Sequence, residues 1–105
     1  MADQKRTQGE FTPNTLRILL VEDSEHDVMA FRRALKRSQI LSEITHYVRA
    51  EKALERIGTD PVSFDLVVTD HKLPGMTGLE LCYELLERET PLPLVILTGT
   101  GSEHL

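Results

Sequence analysis

Val67–Gly78 reads VVTDHKLPGMTG: an apolar run ends on Asp70, followed by His71, Lys72, a Pro74-Gly75 pair and Gly78. With the residues before it, the run FDLVVTD is short, apolar and rich in valine, the pattern of a strand buried on both faces. The Pro-Gly pair forces a turn directly after the strand. Thr77 with Glu80 three residues on forms a capping box, which predicts a helix through about Arg88 carrying Leu79, Cys82, Leu85 and Leu86. A buried strand therefore delivers a carboxylate to a tight turn.

Working outward, LRILLV (Leu16–Val21) is a second run of the same kind and ends on Glu22-Asp23. Ser24 and Asp27 repeat the capping pattern, and Val28, Phe31 and Leu35 recur at helical spacing, so a helix is predicted over Glu25–Arg37. EITHYV (Glu43–Val48) alternates as a strand does. Ala50, Ala53, Leu54 and Ile57 mark an amphipathic helix, with Gly58 placed to cap its end. Pro91 and Pro93 precede a last strand, LVILT (Leu94–Thr98), followed by Gly99, Gly101 and, at Ser102-Glu103, the expected start of another helix. Residues 1–15 are polar and without period and read as a disordered tail; 16–105 form the patterned domain. The order β-α-β-α-β-α-β with short links predicts a parallel sheet with helices on both faces.

The chain has 105 residues, 28% of them charged and 40% hydrophobic, with a net charge of −5. That balance fits a soluble globular domain and opposes nucleic-acid binding, which needs clustered Lys and Arg against phosphate. The densest basic group, Arg32-Arg33 with Lys36-Arg37, reads as a solvated helix face. The single cysteine, Cys82, excludes an internal disulfide and fits a reducing compartment. Apolar runs of about six residues are too short to span a bilayer, and no charged start precedes an apolar stretch. A cytoplasmic protein without membrane contact is expected.

In an open parallel sheet the ligand site forms beyond the carboxyl ends of the strands. Here those ends carry Glu22-Asp23, Asp70 and Thr98. If the first and third strands are neighbours, about 4.8 Å apart, three carboxylates converge. They repel one another unless a cation joins them or one takes a proton. All-oxygen donors favour a hard divalent ion, Mg²⁺ before Zn²⁺ or Cu²⁺.

These residues, LLVEDSEHD, VVTDHKLPGMTGLEL and PLPLVILTGTG in this order, resemble the receiver domain of two-component response regulators, over Arg17 to about Glu103. The resemblance implies a flavodoxin-like, doubly wound sheet of order 2-1-3-4-5, here 2-1-3-4 because the chain ends before a fifth strand and the last helices. It implies that Asp70 accepts a phosphoryl group from a phosphohistidine on a histidine kinase or phosphotransfer protein. Asp23, Asp70 and the backbone carbonyl of Lys72 would ligate Mg²⁺, with Glu22 behind them acting mostly through water. Thr98, followed by Gly99, would bind a phosphoryl oxygen and switch, and Pro74, Gly75 and Gly78 would shape the loop.

Two family features lie beyond the last residue: a lysine ending the fifth strand and an aromatic on it. Lys72 is on the wrong loop to replace that lysine, so impaired phosphorylation is expected of this chain. An uncovered fourth strand would also leave an edge able to pair with a second copy. Two other readings stay open. One is a degenerate receiver acting only as a protein-interaction module. The other is an aspartate-nucleophile phosphohydrolase of the haloacid dehalogenase type, which needs Asp-x-Asp where this chain has Asp23-Ser24-Glu25. The signalling reading makes the chain a phosphoacceptor rather than an enzyme.

Overall fold

Unbroken apolar runs call for packing on both sides, and the computed structural model, which describes residues 14–98, places LRILLV and FDLVVTD at the centre of the sheet and LVIL at an edge of it. The elements are β1 (Leu16–Val21), α1 (Glu25–Arg37), β2 (Ser42–Tyr47), α2 (Ala50–Thr59), a 3₁₀ turn (Pro61–Ser63), β3 (Leu66–Asp70), α3 (Gly78–Glu87) and β4 (Leu94–Leu97). All strand pairs are parallel, and the order is β2-β1-β3-β4. This is the doubly wound arrangement that the alternation of elements predicts. Residues 1–13, and with them most of the expected tail, lie outside the described residues, as do Gly99, Gly101 and Ser102-Glu103.

Side chains alternate across a strand, and β1 feeds two cores. Ile18 and Leu20 join Val28 of α1 and Val68 of β3 on one face, with Phe31, Leu35 and Ile44 packed around them. Leu19 and Val21 join Ala50, Ala53, Leu54 and Ile57 of α2, Val67 of β3, and Leu81 and Leu85 of α3 on the other. Among the described residues, one helix therefore covers one face and two cover the opposite face. At the amino ends of the strands, Arg17 and Asp65 tie β1 to β3. The Arg17 N–H and guanidinium donate to the Asp65 carboxylate, at 2.9 Å from the backbone nitrogen and 2.8 Å from Nη2, and the Asp65 N–H returns to the Arg17 carbonyl at 2.8 Å.

Helix starts follow the predicted caps. Ser24 Oγ accepts from the Asp27 N–H at 3.2 Å. At α3 the box closes both ways: Thr77 Oγ1 accepts from the Glu80 N–H at 3.1 Å and Glu80 Oε1 from the Thr77 N–H at 2.9 Å. Helix ends differ from expectation. Gly58 does not cap α2; the helix runs through it to Thr59, and Asp60 at φ −148° closes it. The left-handed step occurs instead after α1 and α3, at Gln39 (φ 61°) and Glu89 (φ 55°). In each case the next N–H bonds back five residues, Ile40 to Leu35 and Thr90 to Leu85, both at 3.0 Å. These are Schellman closures built on residues other than glycine.

The apolar stripe of α3 also needs correction. Leu85 is buried, but Leu79 and Leu86 are 43% and 66% exposed, and the second anchor is Leu81, fully buried. The inward face is set by Gly78, which sits against β3, so the helix presents Gly78, Leu81 and Leu85 to the core. Leu81→Ala should therefore lower unfolding free energy by about 2–5 kcal/mol, whereas Leu86→Ala should stay within about 0.5 kcal/mol. Urea unfolding of both variants measures this; equal losses would contradict the assigned face.

Candidate functional site

The β1–β3 register pairs Val21 with Thr69, so the chain carries Glu22 and Asp70 out of the sheet side by side. Glu22, Asp23 and Asp70 each offer a carboxylate oxygen within 4.8 Å of the others. Asp23 is exposed, Asp70 half-buried and Glu22 only 5% exposed. The three acids expected to converge do converge.

Glu22 and Asp70 are held by short local bonds. Glu22 Oε2 accepts from the Ser24 N–H at 3.1 Å. The Glu22 N–H extends the β1–β2 ladder to the Tyr47 carbonyl at 3.0 Å, and His46 Nε2 lies 2.7 Å from the Glu22 carbonyl. Asp70 Oδ1 accepts from the His71 N–H at 3.0 Å. The hydroxyl of Thr69, itself fully buried, donates to the Asp70 carbonyl at 2.9 Å.

Burial drives both inner carboxylates toward the protonated form. The Glu22 carboxyl is pushed up to about 7 by burial, against the Ser24 N–H, with the negative charges of Asp70, Asp27 and Asp23 adding to it. Asp70 is raised by burial against the His71 N–H, with Asp23 and Asp27 again adding. Asp27 thus has a second effect beyond the helix cap at which the sequence places it.

The loop from His71 to Thr77 is closed at its neck by the Gly78 N–H, which donates to the His71 carbonyl at 3.1 Å. A side chain at Gly78 would place its Cβ 2.6 Å from the Asp70 carbonyl oxygen. That backbone atom has nowhere to go, so glycine is required by close approach. Gly75 turns at φ +80°, the left-handed region. Leu73 is buried in the core shared with α2 and α3, while Lys72 and Pro74 face solvent. Thr98 follows Leu97, the β4 partner of Asp70, and is exposed at the same end of the sheet; Gly99 lies outside the described residues. Two side chains not anticipated from sequence also reach this end. They are His46, which looks like an ordinary strand residue, and Glu51 of α2, whose Oε2 accepts from the Met76 N–H at 3.2 Å. Their only sequence signal is position, at or just after the carboxyl end of β2.

A family model for the response regulator receiver domain matches residues 18–105. The chain belongs to the response-regulator receiver family. Among relatives of this receiver domain, response regulator RppA of Synechocystis sp. is 36% identical over 87 residues, covering 82% of this chain and 36% of that protein. Regulatory protein VanR of Enterococcus faecium is 31% identical over 85 residues, covering 81% of this chain and 35% of that protein. The chain spans about a third of the length of these relatives. The solved bacteriophytochrome response regulator AtBRR superposes with a TM-score of 0.72 at 27% identity, over 87% of this chain and 71% of that one. The non-phosphorylated HemR receiver domain of Leptospira biflexa does so with 0.65 at 31% identity, over 80% and 64%.

The raised carboxyls have a consequence for stability. Because the folded Glu22 titrates near 7 rather than 4.5, the folded receiver holds more protons than the unfolded chain between those values. Stability should fall as pH rises through that window, by no more than about 3 kcal/mol from this group. Glu22→Gln should flatten the fall, leaving the smaller share owed to Asp70. Urea unfolding at about pH 5 and about pH 8 tests it; an unchanged slope in the variant would remove Glu22 as the cause.

Proposed function

We propose that this receiver domain accepts a phosphoryl group on Asp70 from a phosphohistidine of a histidine kinase or phosphotransfer protein, with Mg²⁺ in the acidic cluster. The observation that carries the reading is the meeting of Glu22, Asp23 and Asp70 within 4.8 Å at the ends of adjacent strands. Receiver domains are signalling modules rather than classical enzymes, and what this one does to a downstream output is a matter for the longer proteins in which such domains occur.

The donor set fits the ion: three carboxylates supply only hard oxygen ligands, and two of them are held by burial away from their ordinary ionisation. Asp23, Asp70 and the Lys72 carbonyl would hold the ion, with Glu22 behind them accepting from coordinated water. When bound, Mg²⁺ supplies positive charge that offsets the repulsion between acids and incoming phosphoryl oxygens. Everything else falls to the chain. Asp70 Oδ1 is occupied by the His71 N–H, which leaves Oδ2 to attack. A bond forms between that oxygen and phosphorus, the P–N bond to imidazole breaks, and its electron pair leaves with the imidazole, which takes up a proton. The product is an acyl phosphate on Asp70. Thr98, placed one residue beyond the Asp70–Leu97 pair, would donate its hydroxyl to a phosphoryl oxygen and, with Gly99, shift when that oxygen arrives.

Treatment with acetyl phosphate or beryllofluoride in millimolar Mg²⁺ should modify the wild-type chain once, and Asp70→Asn should abolish the modification. NMR shifts on Mg²⁺ addition should centre on Glu22, Asp23 and Asp70. Modification that persists in Asp70→Asn would assign the acceptor elsewhere; a folded chain silent to Mg²⁺ would remove the metal site and favour a module that only binds proteins.

A further inference from the structure

The acceptor loop is held at three places, and only two are explained by its own sequence. The neck is the Gly78-to-His71 hydrogen bond, and the middle is Leu73 in the core. The third is supplied from 25 residues away. Glu51, in the first turn of α2, accepts from the Met76 N–H at 3.2 Å. Arg49, the residue at which α2 begins, reaches the same Oε2 with Nη2 at 3.5 Å. The turn lies directly against this pair: a Cβ built on Gly75 would stand 2.6 Å from both Arg49 Nη2 and Glu51 Oε2.

Three features place this contact between α2 and the loop. Arg49, whose guanidinium has no acceptor with which to cap the helix it precedes, turns to Glu51. Glu51 is an intrahelical residue with solvent on one side, yet its Oε1 is buried and has no hydrogen-bond partner among the described residues. An orphaned carboxylate oxygen is a cost; the same carboxylate meets its own backbone N–H in the first turn of α2, and that N–H, the Met76 N–H and Arg49 together hold it below the usual carboxylate range. The loop, for its part, has a tip that needs a fixed acceptor. Gly75 sits in the left-handed region that a free chain occupies only part of the time, and Pro74 gives the loop no donor.

We propose that Glu51, oriented by Arg49, is a positioning residue for the acceptor loop. By holding the Met76 N–H it fixes the Gly75 turn, and with the neck and Leu73 it would steady the backbone at Lys72, whose carbonyl the proposed function assigns to the ion. The proposal rests on the Mg²⁺ reading given above, to which it adds a residue of α2. It distinguishes Glu51 from Glu55, which is on the same helix with the same charge but pairs with Lys52 at the surface.

The test compares Glu51→Ala, Glu51→Gln and Glu55→Ala with the wild type in the same 105-residue chain, by Mg²⁺ titration, by amide exchange at Met76 and by thermal midpoint without metal. Glu51→Ala should speed exchange at Met76 by at least about tenfold. It should weaken Mg²⁺ binding by about three- to tenfold, less than the loss on removing a group bonded to a ligand. Glu51→Gln removes the same charge but keeps the accepting oxygen, so it should restore most of both. Glu55→Ala should match the wild type. If Glu51→Gln loses as much Mg²⁺ affinity as Glu51→Ala, long-range charge rather than position is responsible and the proposal fails. It fails also if Met76 exchange does not change in Glu51→Ala, or if that variant binds Mg²⁺ as the wild type does. A wild-type chain that does not bind Mg²⁺ fails the underlying metal reading instead, a result read before any variant is compared.

Discussion

The register of β1 against β3 is the constraint on which the site depends. Side chains in a strand have a period of two, so a slip of one residue would turn every apolar side chain of β1 to the wrong core. It would also carry Glu22 away from Asp70. Two independent forces oppose such a slip. The double-sided burial of Ile18 through Val21 makes each alternative expensive, and the reciprocal bonds between Arg17 and Asp65 fix the two strands at their opposite ends. The acids themselves contribute nothing to that alignment; they are brought together against their mutual repulsion by packing elsewhere.

Burial first, and that repulsion second, raise both inner carboxyls. Under the proposed function, a cation at the cluster would offset both. Asp27 intensifies this field from the first turn of α1. The same residue also completes the start of that helix through its N–H to Ser24, so one position serves both the fold and the electrostatics.

What could be read from the sequence followed what sequence encodes locally. The runs LRILLV and FDLVVTD are apolar without alternation, as strands buried on both faces are, though LVIL carries the same signal and lies at the edge of the described sheet. Thr77 and Glu80 are an explicit start signal, and the acids at two strand ends are placed by topology alone. Less legible were the features that arise from three-dimensional approach. Gly58 looks like a helix cap because glycine often is one, yet α2 simply runs through it. Leu79 and Leu86 carry the same apolar signal as Leu81 and Leu85, and only the seating of Gly78 against the Asp70 carbonyl decides which pair turns inward. His46 and Glu51 have no motif; their relevance comes from lying where β2 and its neighbour end.

The left-handed steps at Gln39 and Glu89 carry a local backbone cost. A side chain in that region costs roughly 1–2 kcal/mol more than glycine would, and both steps lie at the far ends of α1 and α3 from the acids. The molecule therefore retains an unexploited reserve of robustness at two surface positions. An engineer could draw on that reserve to compensate for changes made at the acidic mouth without altering any group that faces it.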